Sequence, residues 1–299
     1  MRYLQNVFAF IENEGCVTEL EKLGRILQES GIGFSCFLGE QARDSRLAVH
    51  YESPAGNGQG ARLCMTDSSF RAAALQREGE AVLALLHEGN REQDFSGILY
   101  ACENPGWLDA DYMERVYRRY AGLPWDVAET DRCYIRETTE EDVEAFFEIY
   151  AHPEVTRYTE ELYPTVEQER QYVRDYIEKV YGFYGFGVWT VLLKSTGEII
   201  GRVGFSCREG YEEPELGFVI GVPWQRQGYA EEVCSRLLSY AAEELGFPCV
   251  QALVMPENTA SVSLCEKLGF QKADAVEIKG VWYERYLRIC DKEPDICGR

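Results

Sequence analysis

One short segment restricts the fold of this chain more than any other: Gln225-Arg226-Gln227-Gly228-Tyr229-Ala230. It follows an apolar, strand-like run over residues 216–222 and precedes an amphipathic helix predicted over residues 229–245. The first turn of a helix has unpaired N–H groups and the positive end of the helix dipole, so this loop can bind a phosphate. Gly228 lets the main chain approach such a ligand closely. The pattern is short, and an ordinary strand-to-helix turn accounts for it as well.

Two further segments strengthen the phosphate-loop interpretation. Residues 215–220 read Glu-Leu-Gly-Phe-Val-Ile, and residues 258–270 contain a short helix that ends at Gly269, with Phe270 opening the next strand. In this order, the three segments resemble the GNAT superfamily of acetyl-CoA-dependent N-acetyltransferases, nearest to the branch of ribosomal-protein N-terminal acetyltransferases. The resemblance covers roughly residues 130–291.

Hydrophobic periodicity predicts the element order that the resemblance implies. Strands are predicted at 133–137, 187–193, 198–206, 215–222 and 249–255, helices at 142–150, 166–180, 229–245 and 258–268, and a closing hairpin over 270–279 and 281–289. We therefore expect an α/β (α+β) protein. Its C-terminal GNAT domain, with a central mixed, splayed sheet flanked by helices, should span residues 129–295, after a smaller α/β domain over residues 1–128.

The N-terminal domain has no role that its sequence assigns. A helix is predicted over 4–29 and another over 69–79, with strands at 34–38, 62–66, 81–86 and 97–100, at least some of them parallel. Residues 63–68 and the elements after them faintly resemble the later half of a haloacid-dehalogenase-like domain. That family's Asp-x-Asp nucleophile motif is absent near the N-terminus. Asp67 is therefore interpreted as a strand-end cap for the next helix rather than a metal ligand.

The resemblance implies acetyl-CoA as the acyl-donor cosubstrate and a set of residues that bind it. The backbone of Phe218, Val219 and Ile220 would bind the pantetheine arm, and Asn258 and Ser261 would hold it from the other side. Asn258 also fits a plain helix N-cap, and the two roles are compatible. The diphosphate would contact the loop residues Gln225, Arg226, Gln227, Gly228, Tyr229 and Ala230.

Acetyl transfer to a primary amine needs a base, because an amine with a pKa near ~10 is protonated about a thousand to one at neutral pH. Glu215, at the start of the splayed strand, is the candidate, acting directly or through a water; the alternative is a surface or salt-bridged carboxylate. A thiolate leaving group with a pKa near ~8.5 needs little help. Many GNAT members have a tyrosine general acid where this chain has Cys265, so Ser261, Cys265 and Tyr283 stay unranked, and Cys265 equally fits a packing role.

The composition of the chain limits the kinds of partner that it is expected to bind. A formal charge of −21 disfavours nucleic-acid binding. Three histidines without ligand-like spacing give no reason to expect a metal site. The apolar run over residues 180–193 is shorter than the ~20 residues of a membrane span, and no targeting segment is visible. Eleven scattered cysteines are typical of reduced thiols, so a cytoplasmic location without membrane partners is expected.

The function predicted from these observations is transfer of an acetyl group from acetyl-CoA to a primary amine of a small molecule or a protein N-terminus. The attack is expected to be direct, without a covalent enzyme intermediate. The alternative is a non-catalytic acyl-CoA-binding sensor or scaffold, which the missing tyrosine keeps open. The acceptor pocket is expected at residues 158–163, which include Glu160 and Glu161, and at residues 208–214. The acceptor and the oligomeric state stay open.

Overall fold

The computed structural model describes residues 2–43 and 60–290, and contact clustering divides the chain into two compact units, Met1–Trp125 and Asp126–Arg299. The first unit has a parallel five-stranded sheet in the order β2-β1-β3-β4-β5. Its strands are β1 (Asn6–Ile11), β2 (Gly33–Leu38), β3 (Arg62–Thr66), β4 (Ala81–Leu85) and β5 (Tyr100–Cys102). Its helices are α1 (Val17–Glu29), α2 (Glu40–Arg43), α3 (Ser69–Arg77) and α4 (Ala110–Tyr120).

The helix predicted over residues 4–29 is wrong in its first half, because residues 6–11 form the strand β1. Val7, Ala9 and Ile11 pack into one apolar cluster, whereas Phe8 and Phe10 pack into another. A parallel strand buried on both faces lacks the polar alternation that marks a strand in a sequence. The strand predicted at 97–100 also lies later, at Tyr100–Cys102.

Asp67 does not cap the following helix, which corrects the prediction made from the sequence. Ser68 is the N-cap residue of α3. The Asp67 carboxylate instead accepts the backbone N–H groups of Glu12 and Asn13, each at 2.8 Å, and its side chain is buried. Asp67 therefore ties the chain after β1 to the end of β3. Among the described residues, no group of three or more His, Cys, Asp or Glu side chains could hold a metal ion.

The second unit is built on a mixed eight-stranded sheet in the order β12-β13-β11-β10-β9-β8-β7-β6. Its strands are β6 (Asp126–Glu129), β7 (Cys133–Arg136), β8 (Val188–Leu193), β9 (Ile199–Ser206), β10 (Glu215–Ile220), β11 (Cys249–Val254), β12 (Gln271–Ile278) and β13 (Val281–Ile289). The helices are α5 (Val143–Tyr150), α6 (Pro153–Thr156), α7 (Val166–Tyr176), α8 (Gly182–Tyr184), α9 (Tyr229–Glu243) and α10 (Thr259–Lys267), with a π-helical segment, Ile177–Tyr181, between α7 and α8. The predicted GNAT-like sheet is confirmed, and the sequence missed only the short elements β6, α6 and α8.

Aromatic side chains hold α9 against the sheet. The Trp189 ring meets Phe205 at 6.2 Å and Tyr240 at 5.9 Å between ring centroids, both edge to face. Such pairs add about 0.5–1.5 kcal/mol each to the burial of their area. The Trp189–Tyr240 contact joins the C-terminal half of α9 to β8. No helix of the described residues is long and apolar enough to cross a bilayer.

Candidate active site

The site lies where the strands β10 and β11 separate. Along one edge, β10 pairs with β9 from Glu215 to Ile220, but along the other it pairs with β11 only at Glu215 and Gln251. Gln251 is fully buried, and its backbone N–H donates to the carbonyl of Pro214 at 2.9 Å. Beyond this point, the β10 backbone groups that face β11 have no partner in that strand. A strand edge of this kind can hydrogen-bond an extended ligand.

A group of polar side chains holds the chain together at the point where β10 and β11 begin to separate. The Arg285 Nε donates to Gln251 Oε1 at 2.8 Å, and the Arg285 guanidinium pairs with the Glu213 carboxylate at 2.7 Å. The Gln251 side chain also donates to the Glu213 carbonyl at 2.9 Å. The oxygen and the nitrogen of the buried Gln251 side-chain amide thus both have a hydrogen-bond partner. The strands consequently separate at a defined residue.

The Gly228 loop leads from the end of β10 into α9. Gly228 is the N-cap residue at φ +84°, in the left-handed region, and no side chain caps the first turn. The two glutamines shape the loop itself: Gln225 donates to the Ile220 carbonyl at 2.9 Å, and Gln227 donates to the Pro223 carbonyl at 2.7 Å. The N–H groups of the first turn therefore remain available to an anion.

Two carboxylates in the first turn of α9 are neutralised by cations. Arg132 pairs with Glu232 at 2.6 Å, stacks on the Tyr229 ring at 4.1 Å and donates to the Gln227 carbonyl at 3.0 Å. Burial opposes the charge of Glu232, but hydrogen bonds from Thr130 and Arg132 lower its pKa overall. Glu231 pairs with Lys267 at 3.1 Å. The helix start thus keeps its affinity for an anion, through an arginine that sequence reasoning missed.

Glu215 is held in an ion pair. The Arg208 Nε donates to Glu215 Oε2 at 2.5 Å, and this bond raises the pKa of Arg208. The salt-bridged carboxylate that the sequence offered as the alternative for Glu215 is therefore present, at the start of β10. Arg208 belongs to the segment predicted as an acceptor loop, although its pairing was not predicted.

The candidates for the general acid lie in different environments. Cys265 is buried in the core, where burial raises the pKa of its thiol to about 11, so its position fits packing. Asn258 is the N-cap residue of α10, with its Oδ1 accepting the Ser261 N–H at 3.2 Å. Tyr283 is partly exposed on β13, and it contributes to the raised pKa of Arg208. Tyr283 therefore lies on the Glu215 side of the site.

Aromatic side chains cover the sheet at Arg202 of β9, whose guanidinium lies 4.6 Å from the centroid of the Phe146 ring. Phe146 and Tyr150 come from α5, Tyr172 comes from α7, and Tyr163 comes from the loop between α6 and α7; these four form the aromatic wall. The Tyr163 and Tyr172 rings lie 5.5 Å apart. In the same loop, the Tyr158 hydroxyl donates to the Glu257 carbonyl at 3.2 Å, next to the start of α10. The loop predicted to bind the acceptor therefore reaches across to the cosubstrate side.

Comparisons with known proteins identify the second unit. Residues 132–271 match the family model described as "Acetyltransferase (GNAT) domain". The uncharacterized N-acetyltransferase YoaA of Bacillus subtilis is 34% identical over 148 residues, 49% of this chain and 83% of that protein. The [Ribosomal protein uS5]-alanine N-acetyltransferase of Escherichia coli is 28% identical over 171 residues, 53% and 87% of the two chains. A GNAT-family acetyltransferase structure from Bacillus anthracis is 24% identical, covers 55% of this chain and 98% of its own, and has a TM-score of 0.47.

The chain belongs to the GNAT family of acetyltransferases. It is an acetyl-CoA-dependent enzyme that transfers an acetyl group to an amine acceptor. The expected resemblance of the first unit to a haloacid-dehalogenase-like domain is not supported. Its one matching acidic residue, Asp67, uses both carboxylate oxygens to bind backbone N–H groups.

Proposed function

We propose that residues 126–290 transfer the acetyl group directly from acetyl-CoA to a primary amine, with Glu215 as the base. The observation that carries this proposal is the order of features along one strand. Glu215 lies where β10 and β11 separate, the open edge of β10 follows, and the Gly228 loop ends it. Acetyl-CoA has its reactive thioester at one end and its diphosphate toward the other end. This order of groups fits the order of features along the strand.

The residues present fit the cosubstrate. The diphosphate would accept hydrogen bonds from the uncapped N–H groups at Gly228 to Ala230. It would lie beside Arg226, which is exposed. The pantetheine arm would pair with the open backbone edge of Phe218, Val219 and Ile220. Asn258 and Ser261 would face the arm from the start of α10. Acetyl-CoA supplies the activated acyl group, and the protein supplies its position.

Glu215 would take a proton from the acceptor ammonium, directly or through a water. Arg208 holds the Glu215 carboxylate in an ion pair at the start of β10. An arriving ammonium group competes with Arg208 for the same oxygen atoms. The thiolate that leaves has a pKa near ~8.5, so most of the catalytic difficulty lies at the amine. Ser261 and Tyr283 stay unranked as proton donors to the sulfur.

The non-catalytic acyl-CoA-binding module considered from the sequence has one point in its favour, the buried Cys265 at the helix position of the usual acid. No tyrosine occupies that helix position, so the usual acid of the family is absent there. Release of free CoA that depends on an added amine distinguishes an enzyme from a binding module. Two statements stay predictions: that the acceptor is a small amine or a protein N-terminus, and that the protein is cytoplasmic.

The base role is tested by Glu215→Gln, which keeps the size of the side chain and removes its basicity. We expect kcat/KM for a primary amine to fall about 10²-fold near pH 7. The loss should shrink as the pH rises toward the amine's own pKa of ~10, because the free amine is then abundant. Steady-state CoA release across this pH range measures both effects.

Glu198→Gln is the matched control, because Glu198 is an exposed carboxylate in the turn before β9, and Glu215 pairs with Ser206 at the other end of that strand. It should leave kcat/KM unchanged. If Glu215→Gln retains wild-type kcat/KM at every pH while Glu198→Gln does too, Glu215 is not the base. Equal loss at all pH values would also contradict the role, since a missing base is bypassed at high pH.

A further inference from the structure

Arg202, on β9, is a cation without a carboxylate partner. It forms no ion pair with any described residue, and its Nε atom is buried without a hydrogen-bond partner. Its guanidinium stacks over the Phe146 ring, 4.6 Å from the centroid. Desolvation opposes its charge, but Tyr150, Tyr181 and Glu169 raise the pKa of Arg202 overall, so it stays charged. The Arg202 side chain also hydrogen-bonds Tyr150, so it has a neutral partner but, among the described residues, no paired carboxylate to balance its charge, and a desolvated charge without a counter-ion is costly for a folded protein.

Arg202 is partly buried, and two aromatic residues of α5 and α7 that keep accessible surface, Tyr150 and Tyr172, interact with it; the space that these three residues border is called the recess. Burial raises the pKa of the Tyr150 phenol, and the charge of Arg202 and a hydrogen bond from its side chain oppose that rise. The recess is the place where a ligand would approach the guanidinium.

Arg202 and Glu215 share one face of the sheet. Arg202 pairs with Val219, and Glu215 pairs with Ser206, so the side chains of residues 215, 217 and 219 project toward α5 together with Arg202. Gly217 lies between the two charged positions, and a Cβ built there meets nothing within 4 Å. The four residue steps from 215 to 219 span about 13 Å of strand. The sheet thus presents an open floor with a carboxylate at one end and a guanidinium at the other.

We propose that Arg202 binds a carboxylate of the acetyl acceptor whose amine lies at Glu215; this inference rests on the proposed function. The acceptor class is a primary amine that carries a carboxylate several bonds away, as in an ω-amino acid or a short peptide. Guanidinium and carboxylate groups form paired, charge-assisted hydrogen bonds. The aromatic wall contacts the carbon chain between the two ends.

Two acidic groups near Arg202 favour a different class of acceptor, one with a second positive charge in place of the carboxylate. Glu169 is buried on α7, and its Oε2 accepts the Tyr163 N–H at 2.9 Å. Glu160 is exposed on the loop above the recess, and it acts electrostatically on both Tyr150 and Arg208. These carboxylates would favour a diamine or polyamine. Glu169 is already engaged, however, whereas the Arg202 Nε is not.

Binding of matched probes to the CoA complex tests the inference without requiring turnover. The probes are 5-aminopentanoate, pentylamine and 1,5-diaminopentane, which share one carbon chain and differ at the far end, and a series of ω-amino acids from three to seven carbons. We expect at least one ω-amino acid to bind about tenfold more tightly than the alkylamine of equal length by calorimetry. Arg202→Gln should remove this preference while the alkylamine affinity stays unchanged.

Two further variants control the experiment. Arg202→Lys keeps the charge and should keep part of the preference, which serves as the test if Arg202→Gln fails to fold. Arg170→Gln removes a surface arginine that pairs with Glu144, and it should leave the preference intact. Thermal unfolding and CoA affinity establish that each variant is folded.

Three results would overturn the inference: no ω-amino acid binds, the diamine binds most tightly, or the preference survives in Arg202→Gln. None of them bears on acetyl transfer itself. The proposed function would fail on a different result, namely that no amine of any class releases CoA from acetyl-CoA. The two ideas can therefore fail separately.

Discussion

Arg208 determines how an acceptor can reach Glu215. Its Nε atom donates to Glu215 Oε2, so an acceptor amine has to replace the arginine to contact that oxygen atom. The pair lies on the partly exposed edge of the site, with 34% of the Arg208 side chain accessible, so an arriving ammonium can displace the arginine. The salt bridge is therefore compatible with the proposed role of Glu215 as the base.

Cys265 is expected to contribute packing rather than chemistry. It is buried beside Cys234 in the core of the second unit. Cys265→Ala should lower kcat/KM less than tenfold and cost about 1 kcal/mol of stability through the lost volume. Cys265→Tyr should not raise kcat, because a large ring in this position overpacks the core by about 1–3 kcal/mol. Steady-state kinetics and thermal unfolding measure the two effects.

Cys234→Ala is the matched control, because it removes the same atom from the same core. Both alanine variants should unfold at similarly lowered temperatures and remain active. A folded Cys265→Ala protein without turnover, beside an active Cys234→Ala protein, would show that the thiol takes part in the reaction.

Local patterns predict the residues whose role depends on their own stretch of chain. Gly228 lies at the start of α9, where the sequence placed a loop before a helix, and Asn258 is the N-cap that its neighbours implied. Arg132, Arg202 and Arg208 could not be assigned in this way, because their partners come from other strands, helices or loops. A positive charge in a sequence does not tell which carboxylate it will meet, or whether it will meet one.

The strand-loop-helix element formed by β10, the Gly228 loop and α9 can be tested at its one irreplaceable backbone position. Gly228→Glu places a strained residue and a carboxylate against the proposed diphosphate site. We expect acetyl-CoA affinity to fall well over tenfold, which is ~1.4 kcal/mol or more. Isothermal titration calorimetry with acetyl-CoA measures it.

Gly246→Glu is the matched control, since Gly246 also has a positive φ of 66° and lies just beyond the other end of α9. Its strain is similar, but its charge is far from the helix start, so acetyl-CoA affinity should stay close to the wild-type value. Wild-type affinity in a folded Gly228→Glu protein would remove the cosubstrate from this loop.

At the scale of elements, periodicity predicts the sheet of the second unit well, because its strands alternate and its helices are amphipathic. It fails at β1, whose two faces are both buried, and at β6, a four-residue strand with a charged residue at each end. The separation of β10 from β11 is not visible in either strand's own sequence. It became predictable only through the resemblance to a family, because strand separation depends on pairing between distant segments.

Each of the two units has its own sheet and its own apolar clusters. Trp125, the last residue of the first unit, stacks with Arg119 at 4.4 Å, whereas β6 begins at Asp126 in the second sheet. A cut after residue 125 therefore leaves β6 intact, and the predicted cut after residue 128 would divide it. We expect residues 126–299 to fold alone and unfold in one cooperative transition. Circular dichroism melting checks this, and a fragment that is insoluble or molten beside a stable full chain would show a shared core.

The most direct test of the whole account is the release of free CoA from acetyl-CoA by the full chain and by residues 126–299, with and without a panel of primary amines. The account predicts release that requires an amine, with the same acceptor preference in both proteins, and a product that carries the acetyl group on nitrogen. Tight acetyl-CoA binding with no release for any amine, in either protein and up to the pKa of the amine, would contradict it and identify a binding module instead.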